Sequence, residues 1–239
     1  MAIQLLELSG KVGTLVMYTM NGKQVIRSLP GSVKQTKAMQ ARSRNFGVAS
    51  RASRMLRLQL APFLPYPKDR VMQNKFTGAI SKWLGKREIA AVVPENNITT
   101  LAGFSFNAAC SLRERWKVQP ELLHPSNNLM QLSIPAFIPK EVFSAPEGTV
   151  SVTIQASVAA VTIVTGITAG YMNKSIEILF NDQPAGPFTI DLPVNMQGGN
   201  LVVTACSLQF HVPRRTVGST ILVEKPGFLP ADVVEARYC

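Results

Sequence analysis

Between Val33 and Leu64 the chain carries seven basic residues and no acidic one, and this stretch limits what can surround it. The cations are Lys34, Lys37, Arg42, Arg44, Arg51, Arg54 and Arg57. On a helical wheel Met39, Phe46, Ala49, Leu56 and Leu60 fall along one side, and Lys37, Arg44 and Arg51 fall roughly opposite. The spacing predicts an amphipathic helix with its apolar stripe toward a core and its basic stripe outward. It starts near Ser32 or Thr36, since Ser32 and Gln35 have capping-box spacing. It stops at Ala61-Pro62 and Leu64-Pro65-Tyr66-Pro67, because the residue before a proline avoids helical backbone. Arg42 and Arg57 fall near the apolar stripe; they either snorkel or pair with a carboxylate from elsewhere.

Upstream, Thr14–Met20 and Lys23–Ser28 are β-type runs joined by Asn21-Gly22, two residues that tolerate the positive φ of a tight hairpin turn. Downstream, a second helix is predicted from Arg70 to Leu84, with Gly85 as its C-cap. Its apolar side is Val71, Phe76, Ile80, Trp83 and Leu84. Glu88–Val93 reads as a strand, and Pro94-Glu95-Asn96-Asn97 is the boundary candidate.

Beyond that boundary the chain changes character. Gly103–Cys110, Arg113–Val118, Leu129–Ile134, Val150–Val158, Val161–Thr165, Ser175–Phe180, Phe188–Leu192, Asn200–Phe210 and Thr220–Glu224 read as short strands between turn clusters. Val150, Val152, Ile154, Ala156 and Val158 alternate on one face, and the parity flips after Ala159-Ala160, which predicts a bulge or turn there. Gly148–Asn173 has no charged residue and is long enough to span a membrane. Its recurrent Thr, Ser and Gln favour two buried strands instead. The fold class expected is α+β. Residues 1–95 form a hairpin and basic helical docking region with one or two amphipathic helices, and residues 96–239 form an antiparallel β-sandwich.

Charge divides the same way. Residues 1–120 hold 19 Lys/Arg against 5 Asp/Glu, residues 121–239 hold 6 against 9, and the net charge is +11. Such asymmetry points to a polyanion or an acidic protein as partner of the first part, or to cations that only solvate an exposed helix. Three distant cysteines, Cys110, Cys206 and Cys239, fit a reducing compartment, with a Cys110–Cys206 bridge as the alternative. MAIQLLELSGK lacks a basic n-region and a cleavage site, so no signal peptide is expected.

Signatures of chemistry are wanting. His211 and Cys206 are five apart, on opposite faces of a strand, and are poor joint metal ligands; His124 lies in a Pro-rich turn. Gly22-Lys23 and Gly85-Lys86 have Met17 and Ile80 where a phosphate loop needs glycine. Gly103-Phe104-Ser105-Phe106-Asn107 lacks the second glycine of a nucleophile elbow. The acidic residues do not cluster. The chain therefore reads as non-enzymatic, without a cofactor, catalytic residue or metal site. Phe46 is the only aromatic residue between Tyr18 and Phe63, so any nucleic-acid contact would address phosphates and not bases.

Gly10-Lys11-Val12-Gly13, Tyr18, Gly22-Lys23, Arg27, Pro30, Thr36, Gln40, Arg44 and Phe46 together resemble the N-terminal signature of a family of uncharacterised proteins widespread in Bacteroidetes. The resemblance covers about residues 10–50. It implies a lineage and a two-part layout, and it brings no activity and no catalytic residue. The function expected is that of a structural or assembly protein, a homo-oligomer or a component of a particle such as a phage virion. Its basic helix would dock on a neighbouring subunit or a polyanion. The alternative is a cytoplasmic nucleic-acid-binding protein of low sequence specificity. In neither case is a membrane span expected.

Overall fold

The computed structural model describes residues 9–20, 22–29, 31, 34–66, 68–85, 92–118, 120–214 and 218–239. The chain forms two compact units, Met1–Gln40 and Ala41–Cys239.

The first unit is a three-stranded antiparallel sheet of β1 (Gly10–Val12), β2 (Leu15–Met20) and β3 (Lys23–Ser28), in that order. The hairpin register runs from Leu15 opposite Ser28 to Met20 opposite Lys23. Gly22 sits in the turn at φ +73°, where a residue without Cβ is unstrained; Asn21 lies outside the described residues. Strand β1 was not expected, because three residues are too few to show an alternation.

Helix α1 (Lys37–Leu60) begins where Thr36 Oγ1 accepts the Met39 N–H at 3.2 Å, so Thr36 is its N-cap. Ser32, the other start considered, lies outside the described residues. Helix α2 (Arg70–Leu84) is capped at its start by Asp69 Oδ1, which accepts from the Val71 and Met72 N–H groups at 2.8 and 3.3 Å. Gly85 ends it at φ +56°.

In the second unit α1 and α2 pack on one face of a five-stranded antiparallel sheet. Its strands are β6 (Ser151–Thr162), β7 (Thr168–Leu179), β9 (Asn200–Pro213), β10 (Thr220–Leu222) and β11 (Ala231–Tyr238). A three-stranded sheet of β4 (Glu121–Ser126), β5 (Leu129–Ile134) and β8 (Phe188–Pro193) joins the other core. Side-chain parity in the two central strands separates these cores. Leu201, Val203 and Ala205 of β9 share one with Leu56, Phe76, Ile80 and Trp83 of the helices. Val202, Cys206, Leu208 and Phe210 share the other with Met130, Leu132, Ile134, Ile190 and Leu192. The Pro94–Asn97 segment is stitched to β11: Glu95 and Tyr238 exchange both backbone hydrogen bonds at 2.9 Å.

Several sequence expectations need correction. The two runs Val150–Val158 and Val161–Thr165 are one strand, β6, and the parity flip is a register shift against β7 between Ala160 and Val161. Gly103–Cys110 is not a strand. Ser105 Oγ donates to Asn107 O at 2.9 Å, and Asn107 Oδ1 accepts the Ala109 N–H at 3.0 Å; such local bonds replace a ladder. Arg113–Val118 opens instead with a helical turn, α3 (Leu112–Arg115), whose preceding Ser111 N–H donates to Glu114 Oε2 at 3.2 Å. The sequence Ser111-x-x-Glu114 carried that signal. Of the expected strand Glu88–Val93, residues 88–91 lie outside the described residues and Val92-Val93 is not strand. Among the described residues no helix is long and apolar enough to cross a membrane, and Gly148–Asn173 forms most of the β6–β7 pair.

Candidate docking surface

The buried stripe of α1 is Asn45, Val48, Ala49, Ala52, Ser53, Leu56, Gln59 and Leu60. Met39 and Phe46, expected in it, are 48% and 57% exposed. The wheel was drawn through the largest apolar residues. Packing on a flat sheet instead selects the small ones, Ala49, Ala52 and Ser53, which let the helix approach closely. Val71 of α2 is likewise exposed at 61%.

From Ser9 to Arg44 no described residue is buried, so the first two turns of α1 have no covered face. Lys34, Lys37, Arg42, Arg44, Arg51 and Arg54 are all exposed. By helix geometry Lys37, Arg44 and Arg51 drift only about 20° per seven residues and stand about 10 Å apart in a row. Among the described residues the ion pairs are His124–Glu235, Lys140–Asp182 and Arg237–Glu235, and none reaches α1.

Two cations of the helix differ from bare solvated groups. Arg51 lies against the β6–β7 turn: a Cβ placed on Gly166, at φ +70°, would come within 3.3 Å of Arg51 Cβ. Arg57 is half-buried and takes neither of the two roles expected for it alone. Its Nε donates to Ser53 Oγ at 3.4 Å, and burial, with Arg54 nearby, lowers its pKa. Thr77 Oγ1 lies 2.8 Å from the same Ser53 oxygen, which ties the cation to the α1–α2 contact.

Elsewhere the polar groups serve the fold. All three cysteines are free thiols, and burial pushes Cys206 up to about 12, which keeps it protonated and unreactive. His211 Nε2 is 3.0 Å from Thr153 Oγ1, and His124 Nε2 is 3.3 Å from Glu235 Oε2. Among the described residues no three His, Cys, Asp or Glu side chains come together as metal ligands. A cleft of about 320 Å³ lies between Pro62–Tyr66 and Ser207–Gln209, and one of about 430 Å³ beside Asp232 and Arg113. Comparison with family models, with curated proteins and with solved structures gives no match.

Proposed function

We propose that this chain is a non-enzymatic structural protein of an assembly, a particle or virion component, and that α1 is its docking element. The two sheets of Ala41–Cys239 act in this reading as a β-sandwich that supplies the bulky, rigid module. The observation that carries the proposal is the start of α1. Eight helical residues, Lys37–Arg44, are exposed on every side, and their cations meet no carboxylate among the described residues. An isolated helix of that length gains little from its own hydrogen bonds and takes its stability from packing. A neighbouring subunit or a polyanion provides both the packing and the counter-charge. The protein then works in the cytoplasm or within the finished particle.

The second reading, a nucleic-acid binder of low specificity, is favoured by the regular spacing of Lys37, Arg44 and Arg51, which suits phosphates and reads no base. One variant tests both. Reversing Lys37, Arg44 and Arg51 to Glu together is expected to leave the fold intact by circular dichroism. It is expected to abolish assembly in sedimentation velocity or the shift of a duplex DNA probe at low salt. Wild-type protein that sediments as a defined oligomer without nucleic acid supports assembly. A small species that shifts DNA supports the binder. A triple variant that still assembles and still binds overturns both and leaves the row as a solvated face.

A further inference from the structure

The N-terminal sheet has two chemically different faces. Residues opposite each other in neighbouring strands share a face. Val12 stands opposite Leu15, and Met17 opposite Ile26, so one face holds Val12, Leu15, Met17 and Ile26, with Thr19, Gln24 and Ser28 at its ends. It carries no charge. The other face holds Lys11, Lys23 and Arg27 with Val16, Tyr18 and Val25, and Arg27 lies over the Tyr18 ring at 5.6 Å. Every cation of the three strands is therefore on one side.

No described residue of this sheet is buried, and Val12, Leu15 and Ile26 are 65%, 41% and 58% exposed. A three-stranded sheet needs a covered apolar face to be stable in water. We infer that the uncharged face of the sheet is covered by the same face of a second copy of this chain, in a two-fold stack of two sheets. The inference rests on the docking reading above and adds the partner. Charge selects the second copy's approach. The chain is strongly basic, at +11, so contact through the opposite face would set Lys11, Lys23 and Arg27 against their own counterparts. Contact through the uncharged face turns all six cations outward. A self-complementary patch is also what a two-fold interface requires.

The area sets the strength. Three strands about 4.8 Å apart and about 20 Å long cover roughly 300 Å² a side, well below the ~800 Å² of a standard interface. The stack is therefore weak by itself and gains from every additional contact between the same two copies. Because it buries apolar side chains, it is insensitive to salt or strengthened by it, in contrast to contacts of the basic row, which salt weakens.

Sedimentation velocity of the full chain over a range of concentrations tests this. The mass is expected to rise with concentration from 26.0 kDa toward twice that value, and to do so in high salt. The pair Met17→Asp and Ile26→Asp is expected to hold it at 26.0 kDa. The pair Lys23→Gln and Arg27→Gln, on the opposite face, is expected to dimerise like wild type, which shows that altering the hairpin is not by itself enough. As a second measurement, Met17→Cys is expected to give a covalent dimer on mild oxidation beyond any background of the native thiols. A chain that stays monomeric in high salt, a dimer that survives the two aspartates, or an unlinked Met17→Cys each overturns the stack. Loss of oligomers with salt but not with the aspartates overturns the stack alone and leaves the docking reading standing.

Discussion

The backbone N–H of Leu112 donates to Asp232 Oδ2 at 2.7 Å, joining the start of α3 to β11. The carboxylate is buried, and its Oδ1 has no hydrogen-bond partner among the described residues. Burial raises its pKa above the ordinary 3.8, against the lowering effect of the Ser105 and Leu112 hydrogen bonds. The folded state therefore holds this proton more tightly than the unfolded chain does. The stability it contributes is complete below pH 3.8 and is lost as pH rises through the raised folded value. Asp232→Asn keeps an acceptor for Leu112 and never ionises. Its stability relative to wild type should grow more favourable from pH 3.8 upward, measured by urea unfolding across pH. Parallel curves for the two proteins would sink the idea.

The Phe76, Phe104 and Phe106 rings meet at centroid distances of 5.1 to 5.3 Å beneath α2. Phe76 is fully buried among them. Phe76→Ala should cost about 3–5 kcal/mol, the transfer of the ring plus the cavity left behind. Equilibrium denaturation measures it, and a loss under about 1 kcal/mol would mean that the site collapses freely.

Gly85 ends α2 at φ +56° and ψ −129°, a backbone region that glycine alone adopts without strain. A Cβ there would meet Lys82 O at 3.7 Å, an ordinary contact, so the cost is backbone strain and not collision. Its carbonyl also accepts from Asn45 Nδ2 at 3.1 Å, tying the end of α2 to α1. Gly85→Ala should lower stability by about 1–3 kcal/mol. An unchanged melting temperature would show that the cap relaxes into another conformation.

Opposite sides of α1 should respond in opposite ways. Ala52 is fully buried and Phe46 is 57% exposed. Ala52→Leu should destabilise by about 1–3 kcal/mol through overpacking, whereas Phe46→Ser should stay within about 0.5 kcal/mol. If Phe46→Ser proves the costlier change in a dilute monomer, the covered side of the helix has been misassigned.

Strong local signals made part of this architecture legible. The Asp69 and Gly85 positions bracket α2, turn chemistry places β2 and β3, and the Val152-to-Val158 alternation marks the face of β6 toward the second sheet. What was lost depended on long-range packing. Strand β11 carries Asp232, Glu235 and Arg237, charges that a solitary reading assigns to a loop, yet β9 recruits it along most of its length. Strand β4 contains Pro125, and the pairing with β5 slips between Leu123 and Ser126 where that proline cannot donate. The basic residues of α1 were placed correctly as exposed apart from Arg57. The covered stripe was misread because the sheet accepts alanine and serine where a hydrophobicity pattern looks for leucine and phenylalanine.

The core that holds α1 and α2 is closed by side chains far along the chain: Leu201, Val203, Val233 and Tyr238. Every ribosome making this protein therefore releases both helices long before the strands that cover them exist. Loops of such length close slowly, and contacts so remote in sequence place the fold among the slow ones. In that interval Leu56, Leu60, Phe76 and Trp83 are naked apolar surface on a nascent chain. The time between synthesis of Leu84 and of Tyr238 is when aggregation competes with folding. Slower elongation over β9 to β11 lengthens that time, and chaperones that hold apolar helices act within it.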